Sequence, residues 1–125
     1  MISDMVSIGH DICLIDRFEP LLHREAFLKT IFGEQELSQA DRRNHHQCRY
    51  LAGSWVAKES LSKAFGLGLF DWHLPDAQWI HLEQQGYRSW IFTEKCVIPK
   101  SGYVVKTSVS YESNVASAVT IVFKI

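Results

Sequence analysis

The sequence predicts an α+β fold in which an antiparallel β-sheet packs against one long central helix. From Asn44 to Phe65, the apolar residues Leu51, Ala52, Val56, Ala57, Leu61, Ala64 and Phe65 recur at three- and four-residue spacing, as on the buried face of a helix. From Tyr103 to Ser110 the side chains alternate: Val104, Lys106, Ser108 and Ser110 share one face, and Tyr103, Val105, Thr107 and Val109 the other. Ala116 to Lys124 is apolar on both faces and reads as a central or interface strand.

The remaining elements follow in chain order. Met5 to Ile12 predicts a strand with Gly9 inside it, and a glycine there marks close approach of another backbone or a ligand. Asp11 then falls at the strand's end, where a side chain can point into a cleft; in isolation it would read as a turn or cap aspartate. Asp16 to Phe32 predicts a helix with Pro20 early in it, since proline is tolerated in a first turn. Glu34 to Asp41 predicts a short polar helix, and Gly66 a stop to the long one. Leu69 to Pro75 reads as an aromatic-rich loop. Gln78 to Glu83 and Ser89 to Thr93 predict strands joined by a turn at Gln84-Gln85-Gly86, and Tyr111 to Asn114 predicts the turn before the last strand.

A chain of 125 residues suits one domain, here 1–125, and can bury a core without disulfide staples. The net charge of −1 supplies no basic field for nucleic acid. No apolar run is long enough to suggest a membrane span, and no basic stretch followed by an apolar core suggests a secretory signal. Cys13, Cys48 and Cys96 have no metal-type or redox-type spacing, which points to reduced thiols and a cytoplasmic protein.

On the long helix Ala52, Val56, Glu59 and Lys63 fall near one face. A carboxylate following two small apolar residues needs a cation, a hydrogen-bond network or a metal. Lys63, one turn on, is the local partner; as a plain surface pair the two would be worth ~0.3–0.5 kcal/mol. Arg42, Arg43, His45, His46 and Arg49 form a basic cluster leading into the helix, readable as a solvated face or as a dock for phosphate or an acidic partner.

Two separated motifs in this order resemble the holo-acyl-carrier-protein synthase family, the short single-domain phosphopantetheinyl transferases. The first is Gly9-His10-Asp11-Ile12 with Arg17-Phe18 following; the second is Ala57-Lys58-Glu59-Ser60-Leu61-Ser62-Lys63-Ala64-Phe65-Gly66. Leu51-Ala52-Gly53 and Ser108-Val109-Ser110 extend the likeness over most of the chain. The resemblance implies transfer of the phosphopantetheine arm of coenzyme A to a serine of apo acyl carrier protein, leaving adenosine 3′,5′-bisphosphate. It implies Mg²⁺ held by Asp11 and Glu59, with Glu59 or a metal-bound water next to it as the base for the serine. Lys63 would contact the pyrophosphate and assist the leaving group, while Lys58 points about a quarter-turn away. Gly66, Gly68, Ser108, Ser110 and Tyr111 would join Lys63 in holding coenzyme A, Arg17 and Arg24 would dock the acidic carrier, and the chain would form a homotrimer.

This chain departs from the family pattern at two positions. Ser54 stands where the family commonly has arginine, and Tyr111 where it often has histidine, both toward the nucleotide end of coenzyme A. Losing such a charge-assisted contact costs ~1.5–3 kcal/mol, so the departures predict weaker coenzyme A binding or compensation from Arg42, Arg43, His45 or Lys106. Gln85-Gly86-Tyr87 likewise replaces a Gly-Lys-Pro element of the family. Two alternatives stand beside the transferase: a family-like protein that binds carrier or nucleotide without turnover, and a small α+β assembly protein in which Glu59 and Lys63 are only a helix pair.

Overall fold

The computed structural model describes residues 4–82, 86–99 and 101–125. Its elements are β1 (Asp4–Leu14), a 3-10 turn (Ile15–Leu21), α1 (Glu25–Lys29), α2 (Glu34–Asp41), α3 (Gln47–Ala64), β2 (Ala77–His81), β3 (Arg88–Phe92), β4 (Tyr103–Glu112) and β5 (Val115–Lys124). One antiparallel sheet has the order β1-β5-β4; β2 and β3 form a separate antiparallel pair. The α+β expectation holds, with α3 as the central helix. Glu83, Gln84 and Gln85, the end of the predicted strand and most of the predicted turn, lie outside the described residues.

The predicted helix over Asp16 to Phe32 is split. Pro20 sits in the 3-10 turn, and the five-residue α1 follows only after a break at Leu22–Arg24. Proline donates no backbone hydrogen bond, so an unbroken α-helical ladder through it is disfavoured. The long helix begins at Gln47 rather than Asn44, because Asn44 has φ 52° and lies in the left-handed region. At the other end Gly66, at φ 69°, closes the helix as predicted: its N–H donates to the Lys63 carbonyl (3.1 Å) and the Leu67 N–H to the Ser62 carbonyl (2.9 Å).

Within α3 every residue except Gln47, Cys48, Arg49, Glu59 and Lys63 is buried. The sheet covers one side of it, and Gly9 makes the contact close. A Cβ at Gly9 would overlap the Ser60 carbonyl oxygen and stand 2.6 Å from the Ala64 nitrogen. The reading of this glycine as a backbone-approach site is therefore correct, and it fixes β1 against the last two turns of α3. Hydroxyls then run across the sheet: Ser60 Oγ meets Thr120 Oγ1 at 2.7 Å, Thr120 meets Thr107 at 2.6 Å, and Trp90 Nε1 donates to Thr107 at 2.8 Å. Each buried polar group in this ladder has a partner.

The sheet's other face is uncovered. Ile8, Ile12 and Leu14 are more than half exposed there, beside Val119, Ile121 and Phe123 of β5. The alternation predicted for β4 is observed, with Val104, Lys106, Ser108 and Ser110 on this open side.

Candidate active site

The close packing at Gly9 sets Asp11, two residues on along β1, beside the C-terminal turns of α3. Asp11 is largely buried and Lys63 is half exposed. Lys63 Nζ donates to Asp11 Oδ1 at 3.1 Å and to the His10 carbonyl oxygen at 3.1 Å. The expected helix pair between Glu59 and Lys63 is thus replaced by a contact between elements: Lys63 turns to the strand.

Glu59 is half-buried, and no hydrogen-bond or ion-pair partner of its carboxylate is among the described residues. Burial raises its pKa above the usual carboxylate range, and the negative charge of Asp11 raises it further; Lys63 and Arg17 oppose this. The same two carboxylates act on Cys13, whose thiol is pushed up to about 11 by burial first and Asp11 second. Two carboxylates therefore converge where a strand end meets a helix, with one lysine shared unequally between them. A site of this kind favours a bound cation or a proton. No cluster of three or more metal-ligating side chains occurs among the described residues. The donor set accordingly does not resemble a protein-built zinc cage, and it fits a hard cation that takes one or two carboxylates and completes its shell with phosphate and water.

Lys58, the neighbour of Glu59, is fully buried. Its Nζ lies 2.8 Å from Glu36 Oε1, also fully buried, and donates to the carbonyls of Leu74 (3.0 Å) and Ala77. Glu36 accepts in addition from the backbone N–H groups of Gly33 (2.9 Å) and Trp79 (3.0 Å). The short helix predicted as polar is thus anchored by a carboxylate in the core. Twenty-two positions separate Glu36 from Lys58, and no local pattern marks the pairing.

A second polar region lies at the other end of α3. A cavity of about 630 Å³ is lined by Arg43, His46, Arg49 and Arg88 and by Tyr50, Trp79, Tyr87 and Tyr111, with Ser108 at the β4 edge. Three members of the predicted basic cluster thus face one cavity, while Arg42 bonds Ser38 on the surface (3.1 Å). Neither His45 nor Lys106 lines it. Of the predicted coenzyme-binding residues, Ser108 and Tyr111 line the cavity, and the Tyr111 hydroxyl packs onto Gly53. Ser110 is exposed on the open sheet face. Gly66 has open space around it, and the Gly68 N–H is taken by Asp71 Oδ2 at 2.7 Å, so a turn accounts for that glycine.

Arg88 was not foreseen. It bonds Ser54 Oγ, the Trp79 carbonyl and the Tyr50 carbonyl, and its guanidinium lies 3.8 Å from the Tyr50 ring centre. Its partner Ser54 is 34 positions away on another element. Arg17 and Arg24 are exposed; Arg17 lies over Trp55 at 5.3 Å and Arg24 over Phe27 at 5.3 Å. A salt bridge from Arg17 to Asp16 is not among those of the described residues.

Comparison with known proteins shows what the chain is similar to. The family model described as the 4′-phosphopantetheinyl transferase superfamily matches residues 7–109. A holo-acyl-carrier-protein synthase of Fusobacterium nucleatum is 30% identical over 122 residues, covering 94% of this chain and 98% of that protein. One of Treponema pallidum is 28% identical over 123 residues, covering 94% and 95%. Among solved structures, a holo-acyl-carrier-protein synthase of Bacillus anthracis in complex with coenzyme A (3′,5′-ADP) superposes with a TM-score of 0.79 at 25% identity, covering 97% of this chain and 98% of that one. The enzyme of Plasmodium yoelii, at TM-score 0.78 and 21% identity, covers 100% and 99% and shares the fold.

Proposed function

This chain belongs to the 4′-phosphopantetheinyl transferase superfamily, and we propose that it acts as a holo-acyl-carrier-protein synthase, moving the phosphopantetheine arm of coenzyme A onto a serine of apo acyl carrier protein. The observation that carries this is the convergence of Asp11 and Glu59 at the Gly9 contact, with Lys63 on Asp11. In the reaction the serine oxygen bonds to the β-phosphorus of coenzyme A. The bond from that phosphorus to the oxygen bridging toward the α-phosphate breaks, and adenosine 3′,5′-bisphosphate leaves with the electron pair.

The residues divide the work. Glu59, its pKa raised by burial and by Asp11, takes the serine proton, since a higher pKa makes its carboxylate a stronger base. Lys63 keeps a donor beyond its contacts with Asp11 and the His10 carbonyl, and offers it to the departing phosphate. Asp11 and Glu59 would hold Mg²⁺, which when bound supplies charge neutralisation for the pyrophosphate. Ser108, Tyr111 and the arginine-lined cavity take the nucleotide end of coenzyme A, and the exposed Arg17 and Arg24 steer the acidic carrier.

The open apolar face of the three-stranded sheet supports assembly of copies of this chain, read as a homotrimer. Light scattering that gave a clean monomer at working concentration would overturn that reading. The reaction itself is tested by intact-mass spectrometry of apo acyl carrier protein incubated with the protein, coenzyme A and Mg²⁺. The expected result is a gain of one phosphopantetheine arm, lost with chelator and with Glu59→Ala. No gain on any of several carriers, with the protein folded, would sink the transferase reading.

A further inference from the structure

The cavity at the start of α3 holds more positive charge than its neighbours neutralise. Arg43, Arg49 and Arg88 all line it, and none of them forms an ion pair among the described residues. Each is held on an aromatic ring instead: Arg49 lies 4.1 Å from the centre of Tyr111, and Tyr50 lies between Arg88 at 3.8 Å and Arg43 at 5.4 Å. A guanidinium seated on a ring is oriented in advance, with its N–H edge left for a ligand.

Arg88 is the most constrained. Nε and one Nη2 hydrogen go to the Trp79 carbonyl (3.2 and 2.6 Å), the other Nη2 hydrogen to Ser54 Oγ, and one Nη1 hydrogen to the Tyr50 carbonyl (3.3 Å). A guanidinium has five N–H donors, so one Nη1–H remains. Nη1 lies over Gly53, 3.0 Å from where a Cβ would stand, on the same side as the Tyr111 hydroxyl. Trp79 also lines the cavity, and its buried Nε1–H has no hydrogen-bond partner among the described residues. Buried donors without partners are rare and call for an acceptor.

Guanidinia without ion pairs and an indole N–H without a partner in one cavity match a phosphate-bearing ligand, and the exposed Tyr87 ring, over which no guanidinium lies among the described residues, is the aromatic face left for a heteroaromatic base. A simple anion would leave Tyr87 unused, and an uncharged base would leave the arginines uncompensated. We propose that Arg49 and Arg88 together read the phosphate on the ribose at the nucleotide end of coenzyme A, with Arg88 delivering from β3 the guanidinium that the chain lacks at Ser54. This rests on the coenzyme A reading above and replaces the expected compensation by Arg42, His45 or Lys106. Arg49, stacked on Tyr111, restores charge where the tyrosine has none.

The test compares coenzyme A with 3′-dephospho-coenzyme A as donors in the transfer assay. The native protein is expected to show a KM at least ~10-fold lower for coenzyme A. Arg49→Ala, at an exposed position, is expected to raise the KM for coenzyme A ~10-fold while leaving kcat, and the KM for the dephospho donor within about twofold. Arg88→Ala could also loosen β3, so it is paired with the double variant Ser54→Arg/Arg88→Ala, which is expected to recover the preference. Folded variants that keep the full preference, or that weaken both donors alike, would overturn the assignment while leaving the transferase reading intact. If the native protein transfers from neither donor, the transferase reading fails, and thermal shift decides the cavity separately. Stabilisation by adenosine 3′,5′-bisphosphate that exceeds that by adenosine 5′-monophosphate and is lost in Arg49→Ala supports the assignment; equal stabilisation by both nucleotides overturns it.

Discussion

Lys58 and Lys63 lie on the same helix, one on each side of Glu59, and each meets a carboxylate from another element. Lys58 meets Glu36 at 2.8 Å with both side chains fully buried; Lys63 meets Asp11 at 3.1 Å with the lysine half exposed. The first pair is closed. Its four remaining contacts are two backbone carbonyls on the lysine and two backbone N–H groups shared by the glutamate's oxygens, so neither ion has capacity directed at a ligand. The second is open: Glu59 stands beside it with no hydrogen-bond or ion-pair partner among the described residues, and the lysine is half exposed to solvent. Distance alone does not separate a structural pair from a reactive one. Burial and the completeness of the surrounding hydrogen bonds do.

The contrast is broken most sharply by removing each lysine in turn. Lys58→Ala leaves Glu36 charged in the core, removes the ammonium donor from the Ala77 carbonyl, and leaves the Leu74 carbonyl only the Ala77 N–H. It is expected to cost ~3–5 kcal/mol, much of the stability of a chain this size, because half a buried ion pair is worse than none. Chemical denaturation should show the loss as a large drop in midpoint. A Lys58→Ala protein as stable as the native one would show that the buried network is dispensable.

Lys63→Ala is the complementary case. Partly exposed pairs contribute at most ~1 kcal/mol, so its unfolding midpoint should barely move. Transfer activity should fall ~10²-fold, as when one donor to developing charge is removed. A loss of stability comparable with that of Lys58→Ala, measured in the same denaturant series, would place Lys63 in the framework instead of the site.

The sequence made the open pair legible and hid the closed one. Asp11, Glu59 and Lys63 belong to motifs of fixed spacing, and Gly9 announced the backbone contact that unites them. The assumption that failed was local: Lys63 was matched to Glu59 by helical spacing, yet the strand carbonyl of His10 and the Asp11 carboxylate win it. Glu36 read as one more charge on a polar helix, because only the folded arrangement of Gly33, Trp79 and Lys58 gives it enough partners to be buried. Arg88 was silent for the same reason, its partners Ser54 and Tyr50 lying on α3. Pro20 and Asn44 altered helix boundaries through backbone geometry that apolar spacing does not register.

The smallest expected effect is the most specific to the open pair. Asp11 raises the pKa of Glu59, though less than burial does. Asp11→Asn should therefore lower the Glu59 pKa part of the way toward its ordinary value near 4.5, as followed by carboxyl-carbon NMR titration without divalent cation. The sign for stability follows. A raised folded pKa means the native state holds the proton more tightly than the unfolded chain does. That contribution is fully present below the ordinary value and is lost as pH rises through the raised one. In Asp11→Asn the loss should begin at lower pH and be smaller. Mg²⁺ held by the ionised carboxylates, as proposed, would act in the opposite sense: its stabilisation of the native protein should grow as pH rises through the Glu59 pKa and be much reduced in the variant. An unchanged Glu59 titration in Asp11→Asn would mean the two carboxylates do not share a field, and the case for a common cation between them would go with it.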